Sequence, residues 1–547
     1  MHSLRPHPFT PHVLQRAGAL AMTVAVAITT LITLPGTAHA AAPIDPRPAR
    51  EGAAWLAGEL TDGLIYNEQF DFNDYGLTVD TGIALDAVER QPGAVSAIGD
   101  AMAANVRSYI TGRDFGSPDD HYAGPTAKSL VLAHTVGADP TDFGGVNVVR
   151  RMQSLTISGG PSDGRIKDRS ASDFANTIGQ AFAARGLHVS GSAESESATD
   201  FLLEQQCAAG YFRLAFAAPN FPDQSCDGGS PEASSPDVDV TALAVLSLVS
   251  QQGDAEVDEA TARAVAWLRD EQRPNGSFGG GTSTEAPNTN STGLAGWALG
   301  TLGREEAAAR AATWVRARQT HDPRGCGTAL RDETGAVAYD SAALAAGRRD
   351  GIDETNEDQY RRASAQALPS LLWAEPASGM LQLDGPRGFV REGSQQTLRL
   401  AGVAPGDSVC VTGPDTRAAR TADAEGTAAV EVRMPEGTAS RRFGAVDSGD
   451  RSDSTLLRVL GDTRLAVDVE RESVPRGGSQ QVRVAGLEPG ESVELRYRGD
   501  VVDRGTAGDA GRFTGSFRVG RTPGQFTVRA GGEFPEIRFG SDSFRVR

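Results

Sequence analysis

The chain has 547 residues, enough for several domains, and a formal net charge of −19 without a basic block, which argues against nucleic acid as a partner. Hydrophobic residues make up 39%, sufficient to build cores, while 64 Gly and 29 Pro imply many turns. Lys128 and Lys167 are the lysines among 52 basic residues, a bias we attribute to GC-rich coding rather than to anion recognition.

The N-terminus reads as an export signal over residues 1–40. Arg5 and Arg16 give a basic start, Gly18 to Leu34 an apolar stretch, and Ala38-His39-Ala40 a small-x-small cleavage site. Cleavage there removes two arginines and no acid, so the mature chain carries −21. Later apolar runs fall short of the roughly 18 residues needed to span a bilayer, and no Leu-Pro-x-Thr-Gly sorting motif closes the sequence. The expected location is extracellular, with the protein either free or held at the cell surface by other contacts.

Residues 41–47 form a short polar leader. Two kinds of helix then alternate. The first is amphipathic: Ala53 to Leu56, Met102 to Ile110, Val146 to Leu155, Ala198 to Gln206, Thr261 to Gln272 and Glu305 to Gln319. Apolar residues recur there at i, i+3 and i+4, as with Ala264, Val265 and Leu268 against Arg263, Arg269 and Glu271. The second kind opens on Asp or Asn and is apolar nearly all round, so it must be buried. Copies start near Asp80, Asn176, Asp237-Val238-Asp239, Asn290 and Asp340, with a weaker one at Gly124-Pro125-Thr126. Their spacing of 44 to 63 residues is that of a structural repeat. Amphipathic helices often end on Gln, followed by a Gly-containing turn, as at Gln206 to Gly210, Gln272 to Gly276 and Gln319 to Gly325. Six inner and six outer helices predict a closed α/α toroid over residues 48–376, sealed by a last helix near Asp358 to Trp373.

Within this stretch, Trp267-Leu268 with Gln272 and Asn275-Gly276-Ser277-Phe278 resembles the repeat shared by prenyltransferases and squalene or terpene cyclases. Asp237-Val238-Asp239-Val240-Thr241-Ala242 resembles the Asp-x-Asp-Asp-Thr-Ala motif of squalene–hopene-type cyclases. The resemblance implies the toroid fold, and in a cyclase of this type Asp239 would be the proton donor to an isoprenoid. The acid that should follow it is Val240, and the predicted inner helices offer mainly Phe182 and Trp297 as cavity aromatics. A prenyltransferase needs a zinc site, for which Asp239 and Cys207 are candidates, but the histidines are scattered and no metal or other cofactor is expected. The fold is also similar to extracellular cobalamin carriers and to some polysaccharide lyases; for a lyase the nearest group is Tyr122 beside His121, with Asn176.

After Pro376 alternation replaces helical periodicity. The run Gly393-Ser394-Gln395-Gln396 to Val409 matches Gly478-Ser479-Gln480-Gln481 to Val493, so this part is a duplication. Short strands and Gly/Pro turns predict two immunoglobulin-like sandwiches, residues 377–461 and 462–547, separating near Gly461-Asp462. The whole is therefore expected to be a multidomain α plus β chain.

Asp80, Asn176, Asp239, Asn290 and Asp340 are expected at one end of the toroid, where parallel inner helices bring their N-termini together. Capping explains each of them singly; together they form a candidate ligand mouth. Of the four cysteines, Cys207 and Cys226 flank one Gly/Asp-rich loop and are expected to pair, while Cys326 and Cys410 either pair or remain thiols. Two acidic loops, Glu68 to Asp74 and Asp350 to Asp358, lack the EF-hand spacing and read as solvated loops. The sequence thus predicts an exported cell-envelope protein that binds a small molecule or envelope ligand. The alternative is an enzyme acting in the toroid cavity on an isoprenoid or a glycan.

Overall fold

Residues 43–228 and 234–547 are described in the structure, a computed structural model. The expected export signal lies outside these residues. Among them, thirteen α-helices precede sixteen strands grouped in two duplicated β-units, and no helix is long and apolar enough to cross a membrane.

The helices are α1 (Arg47–Gly58), α2 (Tyr75–Ala87), α3 (Pro92–Ile110), α4 (Ala123–Thr135), α5 (Val148–Ser154), α6 (Thr177–Val189), α7 (Ser195–Glu204), α8 (Val238–Leu248), α9 (Ala255–Glu271), α10 (Thr289–Thr301), α11 (Glu305–Arg316), α12 (Ser341–Asp350) and α13 (Glu357–Ala367). Helices α2, α4, α6, α8, α10 and α13 touch in that order, and α13 returns to α2, so they form a closed circuit. Burial follows the two kinds of helix. α8 buries Val238, Val240 to Ala242 and Ala244 to Leu248, almost its full circumference. α9 buries only the stripe Val257, Ala260, Thr261, Ala264, Val265 and Leu268.

The sixth place in the circuit differs from expectation. Asp340 does cap a helix, its carboxylate accepting from the Ala343 amide, but α12 ends Arg348-Arg349-Asp350 and buries only Leu344 and Gly347. Its Arg348 pairs with Asp322, outside the circuit. α13 takes the place instead, although it begins with Glu357 and Asp358. Its Arg361 pairs with Glu59 and Glu357, and its Arg362 with Asp74 and Asp358, which makes the polar start tolerable next to α2.

A repeated hydrogen-bond scheme holds the circuit. Asp74, Asn176, Asp237 and Asn288 accept from the first free amides of α2, α6, α8 and α10. Four residues on, Thr78, Gln180, Thr241 and Thr292 accept from the backbone N–H of Ile65, Ile166, Phe212 and Phe278 in the preceding turn. The outer ring is held by glutamines. Gln206, Gln272 and Gln319 each donate to a turn glycine carbonyl and to a carbonyl of the next outer helix: Ala260 of α9, Ala307 of α11 and Pro48 of α1. The last of these joins the end of the helical segment to its beginning. Gly276 must be glycine, with φ +86° and a hypothetical Cβ 2.3 Å from the Arg310 carbonyl oxygen.

Each β-unit pairs a five-stranded with a three-stranded sheet over one apolar core, and no described strand of one unit pairs with the other. In the first, Ser408–Gly413 and Ala439–Asp447 lie at the centre of the larger sheet; Ser492–Tyr497 and Gly524–Gly531 do so in the second.

The first β-unit is fastened to the helical part. Buried Arg316 donates to Asp45 at 3.0 Å and to Asp407 at 2.8 Å, and Cys326 is bonded to Cys410. Arg348 of α12 binds Asp322 and the Ser408 hydroxyl, so the helix left out of the circuit serves this junction.

Candidate functional site

A cavity of about 150 Å³ lies on the axis of the helical circuit, and all six of its helices contribute to the wall. Most of the wall is apolar, with Phe182, Leu243, Leu246, Leu294 and Trp297. Three charged groups interrupt it: Asp80 of α2, Lys128 of α4 and Arg185 of α6. Lys128 Nζ donates to Asp80 at 2.6 Å and lies 5.6 Å from the centre of the Phe182 ring. Arg185 has no such direct partner among the described residues; burial pushes its guanidinium below its ordinary range, and Asp86 offsets this in part.

A vestibule of about 360 Å³ shares Lys128, Ile178 and Phe182 with the cavity. Tyr109, Tyr122, Phe174 and Asn176 also line it, at the start of α4 and α6. Burial, with Asp80 and Asp74 nearby, drives the Tyr109 phenol far above its ordinary value, so it stays a neutral hydroxyl. Phe174, at this rim, is 77% exposed.

The five residues expected at one mouth are distributed differently. Asp80 does not cap α2; Asp74 does, and Asp80 lies further along the helix on the cavity wall. Asn176 caps α6 and lines the vestibule. Asp239 and Asn290 sit two residues inside their helices, behind the caps Asp237 and Asn288, one turn before the cavity residues Leu243 and Leu294. Neither of them lines the cavity or the vestibule. Asp340 heads α12, outside the circuit.

Asp239 is nonetheless unusual. Its Oδ1 is shut off from solvent and has no hydrogen-bond partner among the described residues, as are Asn290 Oδ1 and the Ser291 hydroxyl on α10. The Gly279-Gly280-Gly281 segment lies across it: a Cβ on Gly280 would come within 2.8 Å of Asp239 Oδ2. Burial pushes the Asp239 carboxyl up to about 6, the nearby Ser291 hydroxyl holding it back and Asp237 adding to the rise.

Of the other groups singled out in the sequence, Tyr122 and Asn176 meet at the vestibule, whereas His121 faces a separate groove. Cys207 and Cys226 are bonded, with Cα atoms 4.9 Å apart. Among the described residues no group of three His, Cys, Asp or Glu is placed to hold a metal ion. Lys128, Arg185, Tyr109 and Phe174 were not anticipated. Lys128 alone carried a signal, as a rare lysine at the start of an otherwise apolar helix.

No family model matches the sequence, and no curated protein matches it. Among solved structures the chain is similar to a protein from Actinoplanes, with 16% identity, 60% of this chain and 99% of that chain covered, and a TM-score of 0.40. It is likewise similar to the type II terpene cyclase MstE from Scytonema, at 15% identity, 60% and 96% coverage and a TM-score of 0.41. Over 30% of its length it is similar to the fibronectin(III)-like modules of Clostridium thermocellum CbhA, covering 93% of that chain at 15% identity and a TM-score of 0.20.

Proposed function

We propose that the chain is an exported binding protein that takes a small, mainly apolar molecule with one polar group into the axial cavity and its vestibule. In this reading residues 48–376 are an α/α toroid of the terpene-cyclase kind that works as a receptor. Residues 377–461 and 462–547 are immunoglobulin-like domains that present it at the cell envelope. The observation that carries the proposal is the axial cavity itself: mainly apolar walls from six helices, beside a vestibule that shares Lys128, Ile178 and Phe182 with it, and with Arg185 placed to meet a polar group. An apolar cavity of this size accepts a benzene-sized group, so the remainder of a larger ligand would lie in the vestibule beside Tyr109, Tyr122 and Phe174.

One observation favours a second reading, an enzyme of the cyclase type: Asp239 is buried, raised to about 6 and incompletely hydrogen-bonded, as a proton donor would be. Against it, Asp239 does not line the cavity. Incubating the mature protein with squalene and with geranyl diphosphate separates the two. The binding reading predicts recovery of both unchanged. A cyclic product that disappears in Asp239→Asn would establish the enzyme instead.

A further inference from the structure

A wide groove of about 870 Å³ opens beside α3 and α5, away from the axial cavity. Its wall carries five arginines drawn from separate stretches: Arg107 on α3, Arg113 in the turn after it, Arg150 and Arg151 on α5, and Arg169 in the loop before α6. No carboxylate lines it among the described residues, in a chain whose net charge is −19. Asp119 and Asp120, beside His121, are the nearest acids acting on that histidine, and Arg113 pairs with exposed Asp114.

Arg107 and Arg169 are held in place by the fold. Arg107 donates to the carbonyls of Gly144 and Gly145 at 2.9 and 2.6 Å. Arg169 donates to the His121 ring, and backbone bonds in both directions join the two residues. His121 is held down to about 4 by burial and by Arg151 and Arg169, so at neutral pH it accepts and adds no charge. The Arg150 and Arg151 guanidinium groups have no hydrogen-bond or ion-pair partner among the described residues, and one terminal nitrogen of Arg151 is buried without a partner. Burial, Arg169 and Arg107 all oppose the charge on Arg151. Like charges gathered this way repel one another, and an anion between them would relieve the repulsion.

We propose that this groove binds a ligand carrying two or more phosphate groups. A guanidinium fork suits phosphate and carboxylate alike. Charge separates the two: each phosphate monoester brings about −1.5 to −2 at neutral pH, so a few fill a site of five cations that would need as many carboxylates.

The test is isothermal titration of the full chain with inorganic triphosphate, using citrate as the carboxylate arm. One saturable triphosphate site is expected, weakening with added salt, and binding citrate at least about tenfold less tightly. Arg150→Ser and Arg151→Met should each weaken triphosphate about tenfold, while Arg399→Ser, at an exposed position in the first β-unit, stays at the wild-type affinity. Arg150 is exposed and unpaired, so its replacement reports on binding even if Arg151→Met folds poorly. Absence of saturable binding, or wild-type affinity in Arg150→Ser, would overturn the proposal. Citrate binding as tightly as triphosphate would overturn the assignment to phosphate.

Discussion

At the residue scale, Asp239 makes the clearest demand on chemistry. In the unfolded chain its carboxyl titrates near 3.8; in the fold it is pushed up to about 6. Well below 3.8 both states are protonated and the group costs nothing. From 3.8 up to about 6 the unfolded carboxyl ionises while the buried one still holds its proton, so stability present at low pH is lost over that window and the loss is complete once pH has risen through 6. A rise of that size corresponds to about 3 kcal/mol at most. Asp239→Asn, always neutral, should therefore exceed the wild type by about 1–3 kcal/mol at pH 7, with the gain gone by about pH 3. Urea unfolding at both pH values measures this, and a gain independent of pH would refute it. Asp237 is different: its Oδ1 accepts from the amides of Asp239 and Val240. Asp237→Ala should cost about 1 kcal/mol as a lost cap. The sequence marked this helix start correctly, but it did not tell cap from neighbour. At Asp80 the error was six residues, because apolar Leu77 and Val79 extend the helix back to Asp74. The spacing of cap and acceptor, Asp74 with Thr78 as Asp237 with Thr241, was legible and would have placed it.

At the scale of elements, the Gln-to-Gly turns were visible in the sequence as a recurring pattern, and the structure supplies their reason: each glutamine ties two outer helices together. Gln272→Ala removes donors to two carbonyls and an acceptor for Arg310. It should cost about 1–3 kcal/mol. Gly276→Ala should cost at least about 2 kcal/mol, since the backbone is left-handed and the carbonyl opposite leaves no room. Denaturant midpoints of the two variants check both, and a neutral Gly276→Ala would contradict this account of the turn. The exchange of α12 for α13 was not legible. Asp340 and the Ala-rich run after it matched the repeat, while Asp358 to Trp373 was expected only as a last helix sealing the ring. What decides is pairing at a distance: Glu59 and Asp74 neutralise Arg361 and Arg362 from nearly 300 positions away, which local periodicity cannot encode.

At the scale of the whole molecule, the duplication repeats a junction as well as a fold. Asp407 and Glu491 hold the same place in the two β-units. Asp407 takes Arg316 from the helical part; Glu491 takes Arg538, which also reaches the Gly461 carbonyl of the preceding unit. Arg316→Ala would leave Asp45 with Arg47 alone and buried Asp407 with Arg47 at 3.6 Å and the Ser448 hydroxyl, so a loss of up to about 3 kcal/mol is expected, read from the melting of the intact chain. The duplication was readable from matched residues, but its docking was not, since Arg316 looked like any outer-helix arginine. All of this framework encloses the axial cavity, and the central claim is that the cavity receives an apolar ligand. The direct measurement is calorimetric titration with geraniol, which carries no charge and so avoids the arginine groove, on the wild type and on Ala84→Phe, which fills the cavity from α2. The account predicts saturable binding to the wild type that is lost in a folded Ala84→Phe. Equal binding to both proteins, or none to the wild type, would contradict it.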